Sequence, residues 1–251
     1  MTTQEILIGL DAHYTPETWM RRVERDAGEI ARLLPPELLE LHRTVVERAH
    51  DGAAHGLILS GSTARARRTA ISDLDYHLIG PPLFTRDLAS QLDLHALTPA
   101  ELDAHILAGD DFVQWSLRFG LIVFDDGHLR RAAALIATSK PWPDADRKRR
   151  HAAKSLDLAR RMVASGDQDA ALEQVRTALS LAARARLLHA GVFPGARDEL
   201  PQQLADLGLP DVGAALASTI HSDTLLLADL ALAVDLSDEL VSTPYDAVSI
   251  A

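Results

Sequence analysis

Two aspartates separated by a single residue, Asp73 and Asp75, close the stretch "GSTARARRTAISDLD" at residues 61–75. Positions i and i+2 of a strand project to one face, so the two carboxylates point the same way. Carboxylates that close repel each other and are costly in a core unless a divalent cation lies between them. Magnesium takes hard oxygen ligands, commonly one or two carboxylates completed by waters and substrate phosphates, and Asp73 and Asp75 supply such a pair. Upstream, Gly61-Ser62 offers a hydroxyl and a backbone that phosphate oxygens can approach closely, with Arg65, Arg67 and Arg68 nearby as counter-charges. Asp93 is a third carboxylate, on the next strand, able to complete a metal site or act as a base. Together these residues suit metal-assisted displacement at phosphorus.

Three short strands must position them. Gly56–Ser60 is an apolar run. In residues 74–79, Leu74, Tyr76 and Leu78 alternate with Asp75 and His77, and in 92–97 Leu92, Leu94 and Ala96 face opposite to Asp93, His95 and Leu97. Leu121–Phe124 is a fourth strand or the end of a helical segment from Phe112. Two amphipathic helices precede the first strand. Thr15-Pro16 starts one, whose apolar face is read as Met20, Val23, Ala27, Ile30 and Leu34 before the stop at Pro35-Pro36; the other runs from about Glu37 to His50. A helical turn is expected at Thr63–Arg67. After Lys140-Pro141-Trp142-Pro143 the chain reads as helices throughout: 152–164, 169–190, 200–207 and 212–234. This places a domain at 1–145 and a second, all-helical one at 146–251, with a loosely held tail from Ser242.

The bulk composition narrows the classes. The 251 residues, 47% apolar and 24% charged, suit a folded protein, and a net charge of −11 argues against a general nucleic-acid binder, which presents a basic face to phosphates. The absence of cysteine excludes disulfides, thiolate catalysis and cysteine zinc sites. Met1–Leu10 lacks the basic start and apolar run of a signal peptide, and no window reaches the roughly 20 apolar residues of a membrane span. A cytoplasmic protein with no membrane partner is expected.

The Gly-Ser, spacer, Asp-x-Asp pattern of residues 61–75, with "LDLHALTPAEL" following at 92–102, resembles the signature of the polymerase-beta-like nucleotidyltransferase superfamily. The resemblance implies an α+β fold in which a nucleotidyltransferase domain with a mixed sheet precedes an all-α helical bundle, as in small-molecule and aminoglycoside adenylyltransferases. It implies Gly61, Ser62 and Arg65 as nucleotide-binding residues, Asp73, Asp75 and Asp93 as catalytic and metal-holding residues, and Mg2+ with ATP or another nucleoside triphosphate as requirements. The reaction implied is transfer of a nucleoside monophosphate, AMP foremost, to a hydroxyl of a small acceptor, in the manner of antibiotic-resistance enzymes. Adenylylation of a protein, or an antitoxin-like module that only binds nucleotide, are the alternatives. One departure stands out: many relatives have glycine where Ala66 stands, so the loop is expected to close differently.

Other residues have plainer readings. Phe112, Trp115 and Phe119 recur at helical spacing and read as a core stripe, with Trp115 as a candidate for stacking on a base. Asp125-Asp126-Gly127 reads as a turn that would supply a general base or bind a cationic substrate if it faced the active cleft. Arg184 and His189 echo an Arg-x4-His ribonuclease motif but lie about 140° apart on a regular helix. The remaining histidines show no paired ligand spacing, so no zinc site is expected. No motif specifies an oligomeric state.

Overall fold

A buried carboxylate organises the first half of the chain. In the computed structural model, which describes residues 16–68, 72–83, 88, 92–139 and 141–221, helix α1 (Pro16–Leu33) runs beside strand β4 (Leu121–Asp125). Asp26, 0% exposed, accepts from the Ile122 N–H at 3.0 Å and from Arg25 at 2.7 Å. Arg22, within 3.4 Å of the same carboxylate, also donates to the carbonyls of Leu117 and Gly120, and the Trp19 indole N–H donates to Asp125 at 2.8 Å. Strand β4 is an edge strand, and α1 supplies partners for backbone groups that an open edge would leave to another chain.

The sheet is mixed, in the order β3-β2-β1-β4, with β1 at Gly56–Leu59, β2 at Leu74–Ile79 and β3 at Leu92–Leu97. Strand β1 is antiparallel to both β2 and β4, whereas β2 and β3 run parallel. All four residues of β1 are buried. Leu57 and Leu59 join Leu74, Tyr76 and Leu78 on the face covered by α1 and α2 (Pro36–Asp51). Ile58, Ile79, Leu97 and Ile122 pack on the other face against α4 (Pro99–Leu107), α5 (Asp111–Phe119) and α6 (His128–Ser139). A one-turn helix, α3 (Gly61–Ala64), follows β1 directly.

Two compact units divide at Pro143/Asp144. In the second, α7 (Ala145–Ser165) and α8 (Gln168–His189) form a helical hairpin. Asp144 caps α7 through the Arg147 N–H, Gly166 ends it at φ +81°, and Asp167 caps α8 through the Ala170 N–H. Leu156, Val175, Leu179 and Leu187 form its core with Leu200 and Leu204 of α9 (Leu200–Asp206) and Leu216 of α10 (Pro210–His221). The α+β organisation expected from the sequence, a mixed sheet with helices followed by a helical region, is the one observed. Among the described residues no helix is long and apolar enough to cross a membrane.

One expectation needs correction, two helices went unread, and one open reading is resolved. Met20 is 62% exposed and Ala27 is exposed; the buried stripe of α1 runs through Trp19, Asp26, Ile30 and Leu34, and a charged member hides it from an apolar count. Helices α4 and α6 were not expected, although Thr98-Pro99-Ala100-Glu101 forms a capping box at the start of α4, a signal present in the sequence. The residue 112–124 segment resolves into both alternatives, a helix and then a strand. The expected helical run past His221, the tail from Ser242 and the first ten residues lie outside the described residues.

Replacing Asp26 by alanine leaves the Ile122 N–H and the Arg22 guanidinium short of a buried acceptor. Urea denaturation of Asp26→Ala should give a loss of about 3 kcal/mol; a change within 0.5 kcal/mol would show that α1 does not depend on this carboxylate.

Candidate active site

The antiparallel register of β1 and β2 brings the Gly-Ser turn to the first aspartates of β2. Ser60 N–H donates to the Asp75 carbonyl at 2.8 Å, and its hydroxyl lies 3.4 Å from the same oxygen. Gly61 follows with φ +66°, and a Cβ placed on it would stand 1.7 Å from Asp75 Oδ2. Glycine is therefore required twice here, for the left-handed backbone and for the approach of the carboxylate. The chain then turns through α3, where Ala64 N–H reaches the Ser60 carbonyl and Arg67 N–H the Ser62 carbonyl. The expected helical turn thus starts two residues earlier, at Gly61.

Across the sheet, the parallel pairing of β2 and β3 sets Asp75 directly beside Asp93. Asp73, just before β2, and Asp93 are exposed, whereas Asp75 is half-buried. Burial pushes the Asp75 carboxyl up to about 6, and the charges of Asp73 and Asp93 push the same way. Proximity of like charge is what a cation would relieve, and an all-oxygen donor set suits a hard ion such as Mg2+. The oxygens of the three are not drawn within 4.8 Å of one another, a spacing that among the described residues only His55, Asp126 and His128 reach. Repulsion between uncompensated carboxylates opposes closer approach.

Beyond the carboxylates the same face carries His77 and His95. Phe112 lies 4.6 Å from the His77 ring and 5.7 Å from His95, and burial with the His95 charge holds His77 down at about 4. The aromatic stripe of α5 is not simply core: Phe112 is 54% exposed, Phe119 is buried, and the apolar core positions of the helix are Val113 and Leu117. Trp115 packs on Phe119 at 5.5 Å, and its indole N–H is buried with no hydrogen-bond partner among the described residues.

The arginines are placed less simply. The Arg65 guanidinium lies over the Phe119 ring, 5.0 Å from its centroid, which seats it beside the Gly61 turn. Arg68 donates to the Ser72 carbonyl at 2.9 Å, and Arg67 is exposed. Asp125 and Asp126 cannot reach this site, because the register pairs Asp125 with Gly56, at the opposite end of β1. Asp125 accepts from the Gly127, Leu129 and Arg130 N–H groups and so pins the turn into α6. Helix α8 stays regular through His189, leaving Arg184 and His189 on different faces. Ala66, the departure noted in the sequence, adopts φ +56°. The loop keeps a left-handed residue there and fills it with alanine.

No family model and no curated protein matches the chain. Among solved structures it is similar to the crystal structure of a nucleotidyltransferase-like protein from Exiguobacterium sibiricum 255-15, at 20% identity and a TM-score of 0.42, covering 79% of this chain and 72% of that one.

Two outcomes follow from the geometry. Ala66→Gly removes left-handed strain but loosens the unfolded chain, for a net gain of about 0.5 kcal/mol in a urea titration. For Asp75, the folded value lies above the ordinary 3.8, so its contribution to stability is complete below that value and is lost as pH rises through about 6. In metal-free buffer Asp75→Asn should abolish that fall and exceed the wild type by about 1 kcal/mol above pH 6, a figure reduced for solvent screening. Parallel pH profiles for the two proteins would show that Asp75 is not under charge strain.

Proposed function

We propose that the first unit is a magnesium-dependent nucleotidyltransferase that moves a nucleoside monophosphate, AMP from ATP foremost, to a hydroxyl of a small acceptor. The observation that carries this reading is the lateral pairing of Asp75 with Asp93, with Asp73 two residues away and Gly61 packed on the Asp75 carboxylate. Asp73 and Asp93 both act on the half-buried Asp75 beside a glycine turn, and that repulsion is a cost that catalytic use of a cation explains. The sequence resemblance in residues 61–75 supports the same assignment.

In this reading Asp73, Asp75 and Asp93 hold Mg2+, which would offset the negative charge of the triphosphate during displacement. The glycine backbone at 61 leaves room for phosphate oxygens beside Asp75, and the Ser62 hydroxyl is available to them as a donor. Arg65, steadied by Phe119, adds positive charge at the same turn. A bond forms between the acceptor oxygen and the α-phosphorus as the α–β phosphoanhydride bond breaks. Pyrophosphate leaves with the electron pair, and the hydroxyl proton passes to a carboxylate, for which Asp93 is the exposed candidate. An acidic chain suits a small cationic acceptor of the aminoglycoside kind better than a nucleic acid.

Mass spectrometry of reactions with ATP, Mg2+ and a panel of hydroxyl-bearing antibiotics, reading small molecules and intact protein together, tests the proposal. An adenylylated small molecule should form and drop at least about 100-fold with Asp73→Asn. Adduct on the protein instead would shift the acceptor to a polypeptide. Product unchanged by Asp73→Asn would remove the carboxylates from the mechanism.

A further inference from the structure

The opposite end of β1 carries a second set of donors that the carboxylate site does not use. His55 precedes β1, Asp126 follows β4, and His128 opens α6. The antiparallel pairing of β1 with β4 joins the first two, since Asp126 N–H donates to the His55 carbonyl at 3.0 Å. His55 Nδ1 then lies 2.7 Å from Asp126 Oδ2, and His128 Nε2 lies 4.0 Å from Asp126 Oδ1. The two imidazoles are 4.5 Å apart, tilted by 56° rather than stacked, and one ligand atom from each residue falls within 4.8 Å of the others.

Local structure holds these side chains in place. Asp125 spends its carboxylate on the N–H groups of Gly127, Leu129 and Arg130 and on the Trp19 indole, which fixes the turn between β4 and α6. Gly127, at φ +116°, turns the chain so that Asp126 and His128 come to the same side as His55. All three remain partly accessible, with side-chain exposures of 40%, 50% and 27% for His55, Asp126 and His128.

A plain histidine–aspartate pair accounts for His55 and Asp126 but not for His128. At 4.0 Å its Nε2 is beyond hydrogen-bond distance of Asp126, yet near enough for one ion to bridge the two. Two nitrogen donors and one carboxylate make a borderline set, suited to zinc with three protein ligands and an open position, not to magnesium or calcium, which prefer oxygen alone. With Zn–N and Zn–O bonds near 2.0–2.1 Å, ligands on a tetrahedral ion stand about 3.3 Å apart. His55 and His128 stand 2.7 and 4.0 Å from the two oxygens of the Asp126 carboxylate, and one ligand atom from each of the three lies within 4.8 Å of the others.

We infer that His55, Asp126 and His128 form a zinc-binding site at the end of β1 away from Gly61 and Asp75. From His55 to Ser60 the extended chain spans about 16 Å, so one ion cannot serve both places. Bound zinc would tie the start of β1 to the turn that begins α6, and its remaining coordination positions would face solvent. The assignment does not depend on the nucleotidyl-transfer proposal, and each can fail alone.

The test uses the full chain, stripped with a chelator and titrated with Zn2+ against a chromogenic chelator in excess Mg2+. The Asp73→Asn/Asp75→Asn protein should bind one equivalent as the wild type does, whereas His55→Gln and His128→Gln should each weaken binding at least about 10-fold. In 15N spectra of the wild-type protein, the imidazole resonances of His55 and His128 should shift together on zinc addition, a reading that needs no variant to fold. Zinc affinity that follows the aspartates and not the histidines, no binding at micromolar zinc, or unmoved His55 and His128 resonances would overturn the site.

Discussion

The four residues of β1 are buried on both faces and hydrogen-bonded on both sides, and the position of a side chain relative to their two ends settles what it can do. At the exit of β1 the chain turns on Gly61 against the start of β2, and three aspartates gather there. At its entry, the end of β4 and the start of α6 arrive, bringing Asp125, Asp126 and His128. A slip of one residue in the β1–β2 ladder would put Ile58 on the face now held by Leu57 and Leu59 and move Gly61 off the Asp75 carboxylate. The apolar packing on both sheet faces therefore fixes the chemistry as much as it fixes the fold.

Charge is handled in contrasting ways in the same unit. Asp26 is wholly buried yet satisfied by a backbone N–H and two guanidinium groups, so it acts as a structural fastening. Asp75 is only half-buried and faces two other carboxylates, so burial and like charge both oppose its ionisation. The first arrangement is balanced by its own partners; in the second, like charge accumulates, which a bound cation would relieve. That difference separates a carboxylate that builds the fold from one suited to catalysis.

The strands and the helices from 16 to 51 were legible because their apolar residues keep the periods of two and 3.6 that burial on one face demands. Asp73, Asp75 and Asp93 could be singled out because two are one residue apart in sequence and the third lies on an alternating strand. What remained hidden depends on long-range pairing. His55 and Asp126 are 71 residues apart, and only the β1–β4 register makes them neighbours. Asp26 was invisible for a different reason: a charged residue within an apolar stripe reads as the edge of that stripe, while its partner is a backbone N–H, which carries no sequence signature. Phe112 fitted the helical period of a core stripe, yet it sits against His77 and His95 and is more than half exposed, because periodicity gives a face without saying what lies opposite it.

The seating of α1 against β4 also bears on how the chain is made. Trp19 and Asp125 are 106 residues apart, so the first helix leaves the ribosome long before the strand it guards. Strand β2 can form a hairpin with β1 early, but the other side of β1 stays open until residues 121–125 emerge. Throughout that interval one edge of β1 stands open, and Asp26 has its arginine partners but not the Ile122 N–H, a state prone to wrong pairing with other chains. Strand β4, synthesised last of the four, is thus the one that closes the open side of β1.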